Sequence, residues 1–128
     1  MDHREITLEE NGSLHSVEIA YDMKNPSIQI NLKNSEHVFY GDNLFFCFAK
    51  LRQSFPKITF FCKGAKKNVY PSRASSQMSS GLMAYELQMG KQALRENIVN
   101  IFDHEDKNLT NDPNIQLDFF KSWIASLK

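Results

Sequence analysis

The sequence predicts an α+β domain: an antiparallel or mixed sheet of about six strands with two main helices packed on it. Three observations predict it. Up to Leu32 the chain alternates apolar and polar residues between turn signals. Segments beginning near Asp42 and Asp112 instead repeat apolar residues at helical spacing. Between these two segments lie short apolar runs bounded by glycine, the pattern of further strands. The implied order is β-β-β-α-β-β-β-α over residues 1–128, with no internal repeat and no linker dividing the chain.

The elements follow in order. Ile6–Glu10 and Leu14–Tyr21 flank Asn11-Gly12-Ser13, and Asn-Gly favours a hairpin because both residues tolerate positive φ. Val17, Ile19 and Tyr21 alternate with Ser16, Glu18 and Ala20, so one face of the second arm is buried. Asn25-Pro26 turns the chain into Ser27–Leu32, completing a three-strand meander. Asp42 can cap a helix running to about Ser54, with Leu44, Phe48, Leu51 and Phe55 along one stripe. Pro56 closes it, and Lys50 and Arg52 near its end suit the helix dipole.

Lys57–Cys62 reads as a short strand entering a loop from Lys63 to Gly81, and Gly81–Met89 alternates as the next strand. Gly90-Lys91 turns, Ala93–Asn97 can hold a helical turn, and Ile98–Phe102 is a further strand. A polar connection, His104–Asp112, leads to the last helix. Asp112 is its N-cap, Pro113 its first residue, and Phe120, Trp123, Ile124 and Leu127 its apolar stripe.

A chain of 128 residues buries roughly two-thirds of the surface its unfolded form exposes, enough for one core without disulfides or metal. The phenylalanines crowded between Phe39 and Phe61 supply that core. Cys47 and Cys62 sit among them and read as reduced, buried packing residues of a cytoplasmic protein. The N-terminal residues form no signal-peptide pattern, and no run approaches the roughly 20 apolar residues of a membrane span.

No catalytic pattern emerges. His3, His15, His37 and His104 are scattered, read as solvent-facing or hairpin residues, and two isolated cysteines do not make a zinc site. Cys62 beside Lys63 holds only a fragment of a thiol site, since Phe60 and Phe61 imply burial. The serines from Ser72 to Ser80 lack the Gly-x-Ser-x-Gly elbow and read as satisfying turn backbone. Gly64 and Gly81 lack the spacing of a phosphate loop. The expectation is a non-enzyme with no metal and no cofactor.

Charge is distributed unevenly. The formal net charge is zero, yet no acid lies between Asp42 and Glu86, where Lys50, Arg52, Lys57, Lys63, Lys66, Lys67 and Arg73 all fall. A basic stretch in a neutral protein suggests a local surface for a partner. One reading is a small nucleic-acid-binding regulator, the loop 63–73 neutralising phosphates and Tyr70 stacking on a base. Against it stand the neutral net charge and the lack of a ribonucleoprotein-type aromatic signature. The other reading is a protein interface, since Tyr70 and Arg73 are residue types that anchor interfaces.

The run Cys62-Lys-Gly-Ala-Lys-Lys-Asn-Val-Tyr-Pro-Ser-Arg73, continuing through Ser76-Gln-Met-Ser-Ser-Gly-Leu-Met-Ala-Tyr85, resembles a motif of small bacterial immunity proteins. These are encoded beside polymorphic toxins, including those of contact-dependent growth inhibition. Leu51-Arg52, Ile101-Phe102-Asp103 and the Phe120…Trp123 ending are similar in kind, so the likeness spans roughly the last two-thirds of the chain. The resemblance implies a cytoplasmic protein, not an enzyme, that binds a cognate toxin domain and occludes its active site or substrate path. Lys66, Lys67, Tyr70, Ser72, Arg73 and Gln77 are the first candidates for that contact. Many toxins are nucleases with basic clefts, for which an inhibitor presents acids. The alternative contact is therefore acidic: Glu9, Glu10 and Glu18 of the N-terminal hairpin, with Asp103, Glu105 and Asp106 of a later loop.

Overall fold

The computed structural model describes residues 1–128. β1 (Asp2–Glu10) and β2 (Ser13–Asp22) form a long hairpin, with Asn11 and Gly12 both at positive φ, 53° and 78°. β3 (Ser27–Leu32) completes the expected meander. A fourth strand, β4 (Ser35–Tyr40), then pairs back on β3 and was not foreseen from the sequence. Its turn is Lys33-Asn34, both residues at positive φ (52° and 63°), the conformation that Asn-Gly adopts with less strain. Lysine at that position conceals the signal.

α1 (Leu44–Ser54) is capped by Asn43, not Asp42: the Asn43 Oδ1 accepts from the Phe46 N–H at 3.0 Å. β5 (Thr59–Phe60) pairs with β1, giving a five-stranded antiparallel sheet in the order β4-β3-β2-β1-β5. The expected loop from Lys63 to Gly81 is instead mostly regular structure. It contains a 3-10 turn at Lys63–Ala65, β6 (Val69–Tyr70) and a third helix, α2 (Arg73–Ser79). β7 (Met83–Glu86) and β8 (Ile98–Asn100) are shorter than the sequence suggests, and the helical turn before β8 occupies Arg95–Asn97. β6, β7 and β8 make a second antiparallel sheet, so eight strands divide into two sheets where about six were expected in one. α3 (Pro113–Ser126) begins as expected, with Asp112 capping and Pro113 in its first turn. No helix is long and apolar enough to cross a membrane.

One apolar cluster joins the layers. Ile6, Ile19, Ile28 and Ile30 of the large sheet share it with Leu44, Phe45, Phe48 and Leu51 of α1, with Val69 and Ala84 of the small sheet and with Ile101 just after β8. Cys47 and Cys62 belong to this core as free, buried thiols. Phe45, Phe48 and Phe60 are fully buried, as the crowding of phenylalanines implied. His37 is half-buried rather than solvent-facing, with its ring edge-on to Phe55.

Arg52 departs furthest from expectation. It does not serve a solvated helix end; it is wholly buried in the core. Its Nη1 donates to the Gly64 carbonyl at 2.7 Å, its Nη2 donates to Gln116 Oε1 at 2.6 Å, and the guanidinium lies 4.8 Å over the Phe48 ring. Gln116 Nε2 donates in turn to the carbonyls of Gly64 and Lys66. This cluster fastens α3 to the 3-10 turn through the single fully buried residue of that helix. Gly64 is required there because a Cβ would lie 2.7 Å from the Cβ of Ile101. The apolar stripe expected on α3 is only partly used, for Ile124 and Leu127 remain exposed.

Candidate partner-binding face

The basic segment divides at Lys66. Its ammonium lies 2.5 Å from Glu86 and 2.9 Å from Glu105, and Lys63 approaches Glu105 at 3.3 Å. Burial alone would lower the Lys66 pKa, but hydrogen bonds to Glu86 and Glu105 outweigh it and raise it. The same Lys66 contact holds the Glu105 carboxyl at about 2. Lys66 and Glu105, one from each predicted contact set, are thus spent on each other, with side chains only 15% and 12% exposed. Other predicted acids are also engaged within the chain: Asp103 with Arg4, Glu10 with Lys33, and Glu18 with His3. Glu9 is half-buried, and Asp106 is exposed on its loop. The acidic residues do not gather into one face free of cations.

The remaining members of the basic set behave differently. Lys67, Arg73 and Gln77 are exposed, and neither cation makes an ion pair. Lys67 lies on the turn between the Lys66 cluster and β6, while Ser72, Arg73 and Gln77 belong to α2 or its cap. The serine-rich spelling explains this helix. Ser72 Oγ accepts from the Ser75 N–H at 3.0 Å and Ser75 Oγ accepts from the Ser72 N–H at 2.9 Å, a reciprocal box that satisfies both orphan donors. Ser79 Oγ donates to the Ser75 carbonyl, and Ser80 Oγ donates to the carbonyl of Met23 in the large sheet's turn. Asn43 Nδ2 donates to Ser76 Oγ at 3.0 Å, tying α2 to the cap of α1. Gly81, at φ 77°, ends the segment where any Cβ would strike the Asn43 side chain at 2.7 Å.

These tethers hold α2 at the surface without burying any of its residues. Arg73, Ala74, Gln77 and Met78 are exposed, Met78 at 88%, the most exposed large apolar residue of the chain. No apolar periodicity announces a helix that buries nothing. The signal available was the paired Ser72 and Ser75, which stand where a capping box stands but with serine in place of the usual glutamate or glutamine.

Beside the start of α2 lies a cleft of about 330 Å³ that the sequence reading missed. Tyr70, Pro71 and Ala74 line one part of it, and Tyr85, Leu87, Phe120 and Trp123 line the rest. Tyr70 and Phe120 stack at 4.5 Å and 19°, Phe120 and Trp123 at 6.0 Å and 25°, and the Tyr70 ring also meets Phe45 and Phe46 edge-on. Burial raises the Tyr70 pKa. Tyr70 is therefore a wall of this cleft, packed on one side against Phe45, Phe46 and Phe120. Trp123 Nε1 donates to the Lys91 carbonyl at 2.8 Å, fixing the far wall.

Burial pushes the Cys47 thiol up to about 11 and the Cys62 thiol up to about 12, far from a thiolate at neutral pH. No three His, Cys, Asp or Glu side chains cluster in a way that could hold a metal ion. Compared with known proteins, the chain matches no family model and no curated protein.

Proposed function

We propose that this protein is an immunity protein that binds a cognate toxin domain through the α2 face and neutralises it by non-covalent occlusion. The observation that carries the reading is α2 itself, a helix fastened by its serines and by Asn43 yet with no residue buried. Its outward residues are an unpaired arginine, a glutamine and an 88%-exposed methionine, next to a cleft walled by tyrosine, phenylalanine and tryptophan. Arginine and large aromatic residues are the types that dominate binding energy at protein interfaces. The acidic residues offered as the alternative contact support the reading less, since three of the six, Glu10, Asp103 and Glu105, are paired with cations within the chain.

The resemblance of Cys62–Tyr85 to immunity proteins supplies the kind of partner. The test is co-expression with the toxin domain encoded immediately upstream. Protection from growth arrest is expected from the wild-type chain and reduced protection from Arg73→Glu with Gln77→Glu. Full toxicity in the presence of the wild-type chain would refute the proposal.

A further inference from the structure

We infer that the aromatic cleft receives one large apolar side chain of the toxin domain, carried on an acidic segment whose carboxylates meet Arg73 and Lys91. The inference rests on the immunity reading and deepens it. At about 330 Å³ the cleft lies near the lower end of the roughly 300–1,000 Å³ range of ligand pockets. It is too small to take in a whole helix and has room for one large side chain.

Seven of its nine lining residues are hydrophobic, and Tyr70, Phe120 and Trp123 present near-parallel rings at successive positions. Such walls can also attract a cation, so charge has to decide the occupant. No acid lines the cleft. Glu86, next in sequence to Tyr85, is held by Lys66 at 2.5 Å. The exposed cations beside the lining are Arg73, between Ser72 and Ala74, and Lys91, whose carbonyl holds Trp123; the exposed acid nearby, Glu96, lines the adjoining hollow with Lys91 and Ala93. Neither cation has an ion-pair partner. A cationic occupant would meet like charge at the rim, whereas an apolar side chain between carboxylates meets its complement.

Ala74 offers the cleanest perturbation, because it is exposed, lines the cleft and lies on a helix that buries nothing. Ala74→Phe fills the opening without touching the core. Calorimetric titration with the purified upstream toxin domain should show about 30-fold or weaker binding for Ala74→Phe, the loss expected when a hot-spot pocket is closed. Arg73→Glu and Lys91→Glu should each weaken binding about 5- to 10-fold, more at low salt than at high salt. Leu14→Asp, on the distant hairpin, should bind as wild type.

Trp123 is the chain's only tryptophan, so its emission should shift when the wild-type chain binds. If Arg73→Glu weakens binding while Ala74→Phe binds as wild type with Trp123 emission unmoved, the cleft inference is overturned and the immunity reading stands. If the wild-type chain does not bind the toxin domain, both fall. A change in Trp123 emission on adding a mixed-sequence single-stranded oligonucleotide, with none on adding the toxin domain, would also overturn the inference.

Discussion

Replacing Gln116 by leucine should destabilise this protein far more than its place on a largely exposed helix suggests. The side chain is 1% exposed and makes three hydrogen bonds: from Arg52 Nη2 at 2.6 Å, and to the carbonyls of Gly64 at 2.9 Å and Lys66 at 2.8 Å. Gly64 keeps its bond from Arg52 Nη1 and the Lys66 carbonyl keeps its bond from the Val69 N–H, so the orphaned group is Arg52 Nη2. Losing a buried hydrogen bond to a charged group costs about 1.5–3 kcal/mol, and the two bonds given up to carbonyls that keep another donor add about 1 kcal/mol together. Arg52 has no carboxylate to fall back on, and its Nε already lacks a partner. Burial pushes its pKa down to about 9, which leaves it charged at neutral pH. The leucine returns roughly 1 kcal/mol through added apolar burial.

A net loss of about 1.5–3 kcal/mol follows, a sizeable part of the roughly 5–15 kcal/mol that holds an ordinary domain folded. Urea denaturation should show it as a lower midpoint with an unchanged slope. The double variant Arg52→Met with Gln116→Leu should be less destabilised than the two single losses combined, by about 1–3 kcal/mol. A Gln116→Leu loss below about 1 kcal/mol, or strict additivity with Arg52→Met, would refute the claim that this cluster fastens α3.

Other outcomes can be checked alongside. The Glu105 carboxyl, held at about 2 against its ordinary 4.5, stabilises the fold fully above pH 4.5, and this contribution fades as pH falls toward 2. It amounts to at most about 3 kcal/mol before solvent screening, so Glu105→Gln should be less stable at pH 7, with a shallower acid limb in pH-dependent denaturation. The raised thiols act at the other end, where stability from Cys47 and Cys62 is complete below about pH 9 and falls as pH climbs through 11 and 12. Cys47→Ala should flatten part of that alkaline decline. Gly81→Ala forces a Cβ into the Asn43 side chain at a positive φ, and about 2–3 kcal/mol should be lost by thermal or urea denaturation.

The fold was legible where local chemistry is loud. Asn11-Gly12 announced the first hairpin, alternation announced β2 and β3, and Asp112-Pro113 announced the start of α3. β4 was hidden because Lys33-Asn34 adopts a turn conformation its composition does not advertise. α2 was hidden because a helix that buries nothing leaves no apolar period, and its serines read as loop. Arg52 was misplaced for a similar reason. A basic residue near a helix end has a sufficient local explanation, and only the tertiary approach of Gly64 and Gln116 shows that it lies inside.

The candidate site shares that history. The loop from Lys63 to Arg73 stood out for its charge, yet half of that charge is met within the chain, Lys66 by Glu86 and Glu105 and Lys63 by Glu105. The cleft could not be read at all, because its walls come from residues as far apart in sequence as Tyr70 and Trp123.

Amide hydrogen exchange, followed by mass spectrometry with and without the upstream toxin domain, tests the central claim most directly. The account predicts slowed exchange over residues 70–78 and around Trp123, with residues 103–106 and the β1–β2 turn unchanged. Slowing confined to the acidic loop or that hairpin, or none anywhere, would contradict it.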